Sequence, residues 1–207
     1  RFKDEFLAAL SHELRTPLTP ALVTITALVE DPETPESIRP GLEVIRRNIG
    51  LEARLIDDLL DVTRISQGKL RLRREVADAH ELILRAVEIC RDEIATAGLE
   101  MAIDLNAPEH AIDVDPARFQ QIAWNLVKNA VKFTPRPGRI VIRSMNRPGA
   151  ATERPRLVVE VSDTGIGIEP PALRSIFRAF EQGSAAHSQQ FGGLGLGLAI
   201  SKSVVEG

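Results

Sequence analysis

Apolar residues recur at helical spacing over the first sixty positions. Leu7, Leu10, Leu14, Ala21, Ile25 and Leu28 fall three, four or seven apart, which predicts one amphipathic helix over residues 3–29. The stretch DPETPESIRP then interrupts the pattern with three prolines, as a loop between helices should. A second run follows at Ile38, Leu42, Ile45, Ile49, Ile56 and Leu59. Its steps of four and three make the seam of a helix packed on another helix. Two such helices form a hairpin that buries only one stripe each. Pairing two hairpins into a four-helix bundle completes the core, so the pattern predicts a homodimer through the N-terminal hairpin. The competing reading packs both helices on the remainder of the same chain.

Ser66-Gln67-Gly68 ends the second helix, and the period changes after it. Leu70, Leu72 and Val76 suggest a short strand, and 78–97 reads as a helix. Short strands follow near 99–105 and 111–114, then a helix over 116–133. RIVIRSM and RLVVEVSD alternate apolar and polar residues, which predicts an antiparallel pair joined by the turn-rich NRPGAATERP. Glycine-rich turns and short helices fill the last third. This mixture predicts an α+β sandwich, one mixed sheet with helices on one face. The domain boundary falls between residues 1–67 and 68–207.

Composition narrows the class. The 207 residues are 43% hydrophobic and 27% charged, enough for one or two domains with real cores. A net charge of −3 provides no basic field for nucleic acid or anionic lipid. The apolar runs are too short to span a bilayer, and RFKDEF does not read as a signal peptide. The single cysteine, Cys90, lies in the apolar stripe LILRAVEIC, which excludes an internal disulfide and fits a cytoplasmic location. Both ends fall inside helical patterns, so the chain is expected to be a fragment whose parent is free to be membrane-anchored.

Four groups of residues carry candidate chemistry. His12 is about 200° around the helix from Leu10 and Leu14, so it points away from the apolar stripe. A surface histidine is usually only a solvated side chain. Here Glu13 is adjacent and can accept Nδ1–H, leaving Nε2 with the lone pair that attacks phosphorus. Thr16 lies one turn on, placed to position a water, and Pro17 removes a helical hydrogen bond just beyond. In QQIAWNLVKNAVKFT, Asn125 and Asn129 share a helix face, as do Lys128 and Lys132. Amide oxygens suit Mg²⁺ and lysine suits phosphate, although a solvated polar face has the same pattern. Asp163-Thr164-Gly165-Ile166-Gly167 follows a strand, where glycines let a flat ligand approach and a carboxylate can accept from an exocyclic amine. Gly193, Gly195 and Gly197 precede the helical AISKSVVE and leave amides free for phosphate. GK[ST] is missing, so this is not a Walker loop. The GxGxxG spacing is also missing, so it is not a dinucleotide fingerprint.

Together these strings resemble the catalytic core of sensor histidine kinases. FLAALSHELRTPLTP resembles the H-box of the dimerisation and phosphotransfer domain, with the whole S-H-E-L-R-T-P string present. QQIAWNLVKNAVKFT resembles the N-box, DTGIGI the G1 box, IFRAFEQG with Phe177 and Phe180 the F-box, and GLGLGL the G2 box. The resemblance implies a dimeric helical hairpin followed by a GHKL/Bergerat-type ATP-binding domain. It implies His12 as phosphoacceptor, Glu13 as its base, and Thr16 as the residue serving dephosphorylation of a response regulator. It implies Asn129 on the Mg²⁺ that bridges the ATP phosphates, with Asn125 assisting. Lys132 would contact phosphate, Phe133 would flank adenine, and Asp163 would read its N6 amine. Gly165, Gly167, Phe180, Gly193, Gly195 and Gly197 would shape the pocket, under a lid over 181–192. The partner implied is a response-regulator receiver domain. The chain stops at Glu206-Gly207, before the last strand usual in this fold. Two other readings compete. A nucleotide-binding pseudokinase scaffold would lack transfer. A chaperone- or gyrase-type ATPase would place a catalytic glutamate near Asn125, where this chain has asparagine.

Overall fold

In the computed structural model, α1 (Phe2–Glu30) and α2 (Arg39–Ser66) pack against each other as a hairpin. The structure describes residues 2–149, 155–181 and 194–206, with side chains from residue 13 onward. The chain divides into two compact units, Arg1–Leu70 and Arg71–Gly207. α1 continues through Pro17 and Pro20. Each proline forfeits a ladder hydrogen bond, so packing against α2 must hold these turns. Among the described residues of the hairpin, Ile25, Val29 and Leu60 are the buried apolar ones. Arg15 of α1 pairs with Asp57 of α2.

Arg39 closes the loop. α1 has no basic residue in its last turn, and the carbonyls there need donors. The Arg39 guanidinium donates to Val29 O, and at 3.1 Å to both Asp31 O and Thr34 O. Thr34 Oγ1 adds a hydrogen bond to Leu28 O at 2.6 Å.

The second unit contains β1 (Glu75–Asp78), α3 (Ala79–Ile89), α4 (Arg91–Ala97), β2 (Glu100–Leu105), β3 (Ala111–Val114), α5 (Pro116–Phe133), β4 (Arg139–Arg147), β5 (Arg156–Asp163), a 3₁₀ turn (Ala172–Arg174) and α6 (Gly197–Glu206). β2 runs parallel to β4, and β4 pairs antiparallel with β5, as the alternation of the last two strands predicts. Ile140 and Ile142 of β4 are fully buried on one face. They share a core with Ile83 and Ala86 of α3, Ile94 of α4, and Ala123, Val127 and Ala130 of α5.

Three expectations are corrected. The described strands form two sheets, β1-β3 and β2-β4-β5, where one mixed sheet was predicted. β3 turns back to pair with β1, Asp78 opposite Ala111, and so leaves β2. The strand expected at Leu70 and Leu72 begins only at Glu75, because β3 offers four partners. Ahead of it Arg73 N–H donates to Asp115 Oδ2 at 2.9 Å, a side chain in place of a ladder partner. The helix expected over 78–97 breaks at Cys90, whose backbone (φ −93, ψ 0) ends α3 and opens α4. No local breaker marks the spot. Burial of Cys90 and Ile94 in the common core fixes it, a tertiary effect that periodicity does not register.

Candidate functional site

α5 is the spine of the site. Asp115 caps it by accepting from Arg118 N–H at 3.2 Å, and Pro116 occupies its first turn. Asn125 is only 6% exposed. Its Nδ2 donates to Gly197 O at 3.3 Å, and a Cβ on Gly197 would stand 3.2 Å from its Cγ. The carboxamide therefore links α5 to the first residue of α6. Asn129, one turn on, is half-buried.

The two lysines differ. Lys128 Nζ lies 3.3 Å from the Glu93 carboxylate and 4.9 Å from the Trp124 ring centroid. Lys132 Nζ lies 4.8 Å from the Phe133 ring centroid. Burial pushes the Lys132 ammonium below the usual lysine range, and the charge of Lys128 adds to this. An anion beside Lys132 would oppose both effects.

The turn after β5 is pinned to the end of α5. Ile166 N–H donates to Phe133 O at 3.1 Å. Gly165 N–H donates to Asp163 Oδ1 at 2.8 Å. A Cβ at Gly165 would stand 2.4 Å from Phe133 O, so only glycine permits this approach. Thr164 Oγ1 accepts from Arg139 N–H at 2.9 Å and ties the turn to β4. Sequence reasoning assigned Thr164 no role. Its only signal was a hydroxyl immediately after the strand.

Phe180 has a left-handed backbone (φ 66), and its N–H donates to Gly195 O at 3.2 Å. Phe180 is 59% exposed. Buried Leu196 and Ile200 then anchor α6. The structure thus joins Phe133 to the Asp163–Gly167 turn, Asn125 to Gly197, and Phe180 to Gly195. Gly193 and the lid expected over 181–192, apart from Glu181, lie outside the described residues. His12, Glu13 and Thr16 lie on α1 in the first unit; Glu13 and Thr16 are exposed, and the His12 side chain lies outside the described ones.

Comparison with known proteins gives this arrangement a family. The "His Kinase A (phospho-acceptor) domain" matches residues 2–68, and the "Histidine kinase-, DNA gyrase B-, and HSP90-like ATPase" matches residues 114–207. The chain belongs to the sensor histidine kinase family. The ATPase match begins at the last residue of β3, so it covers α5, both glycine turns and α6. This histidine kinase core is 36% identical over 207 residues to the sensor protein GacS of Pseudomonas syringae pv. syringae. It is 33% identical over 206 residues to the autoinducer 2 sensor kinase/phosphatase LuxQ of Vibrio parahaemolyticus. These alignments cover 100% and 99% of the chain but 22% and 24% of the relatives, so the chain spans about a quarter of their length. Among solved structures it resembles full-length ShkA in complex with AMPPNP. The TM-score is 0.71 at 30% identity, over 98% of this chain and 40% of that one. Among the described residues, no helix is long and apolar enough to cross a membrane.

Proposed function

We propose that this chain transfers the γ-phosphoryl group of ATP to its own His12, and from there to an aspartate of a response-regulator receiver domain. The observation that carries this reading is the presence, on one chain, of a matched phosphoacceptor domain bearing SHELRTP and a matched ATPase domain. The ligand-free geometry fits a nucleotide. Gly165 keeps the turn against Phe133 free of a side chain, and burial together with the Lys128 charge holds the Lys132 ammonium below the usual lysine range, effects that a phosphate beside it would oppose.

In this reading residues 1–67 are the dimerisation and phosphotransfer domain and 68–207 the ATP-binding domain. Asp163 accepts from the adenine amine, while Gly165 and Gly167 shape the floor beside Phe133. Lys132 and the backbone around Gly193, Gly195 and Gly197 hold the phosphates. Asn129, with Asn125 assisting, supplies amide oxygens suited to Mg²⁺, which would neutralise charge on the phosphates. An imidazole nitrogen of His12 forms the N–P bond as the bond to the ADP oxygen breaks, and Glu13 takes the ring proton. Positioning and charge neutralisation supply most of the rate. Thr16 serves the reverse activity on the regulator, a reading favoured by the kinase/phosphatase name of one relative. The hairpin dimerises: Leu14, Val23, Leu28, Val44, Ile45 and Leu51 are each more than 40% exposed in the single chain. The setting is cytoplasmic, in keeping with a lone buried cysteine.

The test is incubation with γ-labelled ATP and Mg²⁺. The label should be acid-labile and base-stable, as phosphohistidine is, and should chase onto a receiver domain. Nucleotide binding without label would favour the scaffold reading, for which no observation speaks. Release of inorganic phosphate without a labelled chain would favour the gyrase-type reading.

A further inference from the structure

Two of the four histidines lie outside the nucleotide site, where β1 meets the start of α3. Register places Asp78 opposite Ala111, and Ala79 N–H donates to His110 O at 3.0 Å. Asp78, His80 and His110 are thereby gathered, with one ligand atom from each within 4.8 Å of the others. The imidazole rings stack with centroids 4.2 Å apart and planes 15° from parallel.

Hydrogen bonds fix much of the chemistry. His110 Nδ1 lies 3.0 Å from Ala107 O, and a carbonyl only accepts, so Nδ1 carries the proton. In the neutral ring Nε2 is then a bare lone pair, and it faces Asp78 Oδ2 at 3.5 Å. Two acceptors turned on each other call for a cation between them. The other carboxylate oxygen, Oδ1, is committed to the α3 cap by His80 N–H at 2.8 Å and Glu81 N–H at 3.2 Å. His80 Nε2 lies 2.8 Å from the buried Ser144 Oγ, which also accepts from Ala107 N–H at 3.1 Å. With Nε2–H given to Ser144, the Nδ1 of His80 becomes a second lone-pair donor. Each histidine is thus held through one nitrogen, the arrangement that orients metal-binding histidines.

We propose that Asp78, His80 and His110 bind a divalent transition ion of the Zn²⁺ class, with water completing the coordination. Two neutral imidazoles and a carboxylate are a donor set for such an ion and not for Mg²⁺ or Ca²⁺. Ligand atoms of a tetrahedral site with bonds near 2.0–2.1 Å lie about 3.4 Å apart, and the His110–Asp78 pair already stands at 3.5 Å. The stacked rings must swing apart for both lone pairs to converge. Asp78 and His110 are partly exposed, so solvent reaches the site. The positive end of α3 opposes a cation there, and the Asp78 carboxylate offsets it. A bound ion would staple residues 107–110 to the start of α3, at a place independent of the nucleotide reading.

The test is titration of chelator-treated, nucleotide-free full chain with Zn²⁺, read by calorimetry and by melting temperature, and with Co²⁺, read by visible absorption. The wild type should take up one ion at this site, with a rise in melting temperature and tetrahedral Co²⁺ bands. His110→Gln and Asp78→Asn should each weaken binding by at least about tenfold and remove both signals. Asn also caps helices, so Asp78→Asn keeps α3 intact and the result does not hinge on folding. His187→Gln should change nothing. No uptake by the wild type, the Asp78–His110 pair then sharing a proton only, overturns the proposal. So does uptake that both substitutions leave unchanged.

Discussion

Replacing Gly165 with alanine should abolish nucleotide binding while the helical hairpin keeps its helix content. The new Cβ would stand 2.4 Å from Phe133 O and 2.6 Å from Asp163 Oδ1. The first of these is backbone and cannot rotate away. Either the end of α5 or the turn after β5 must move, and the Ile166 N–H to Phe133 O bond breaks with it. Overpacking of this kind costs about 1–3 kcal/mol. The larger consequence is displacement of Asp163 from Phe133, the two groups proposed to hold the base. Gly167→Ala is the informative comparison. Its φ of +71 strains an alanine by about 1–2 kcal/mol, but nothing lies within 4 Å of the added Cβ. It should weaken nucleotide binding less. Titration with a fluorescent nucleotide, alongside circular dichroism for the hairpin, checks both variants.

Asn129→Ala should lower phosphoryl transfer by at least about a hundredfold, with stability changed by no more than about 0.5 kcal/mol. Asn129 is half-buried and is proposed to act only on the metal and phosphates. Asn125→Ala should behave differently, because Asn125 is both buried and bonded to Gly197 O. Its loss opens a gap between α5 and α6 and removes one donor. Ser201 Oγ still donates to that carbonyl at 2.8 Å, so the carbonyl is not orphaned. The cost should be about 1–2 kcal/mol, with weaker nucleotide binding because the start of α6 is loosened. Urea unfolding followed by the single tryptophan, together with labelling from ATP, separates the two effects. Equal destabilisation by both substitutions would contradict the division of roles.

The parts of the fold visible in the sequence were those governed by local period. α1, α2 and α5 follow spacings of three and four, and β4 and β5 are short runs rich in Val and Ile. The parts that were not visible depend on partners far along the chain. Nothing near Cys90 marks the division of α3 from α4, which the shared core imposes. The return of β3 to β1 is a choice of partner, and alternation does not name partners. Of the site, the residue types were legible as motifs. Their connections were not: Asn125 to Gly197, Thr164 to Arg139, Phe180 to Gly195. The Asp78–His80–His110 cluster escaped notice for the same reason. His110 lies some thirty residues from Asp78 and His80, and the β1–β3 register brings it to them.

His12 is proposed as the phosphoacceptor served by the nucleotide site of the second unit. The most direct measurement compares wild type and His12→Gln for acid-labile label from γ-labelled ATP, with nucleotide affinity measured in parallel. The His12→Gln chain should lose the label completely and bind nucleotide with unchanged affinity. Acid-labile phosphate retained on the His12→Gln chain would contradict it.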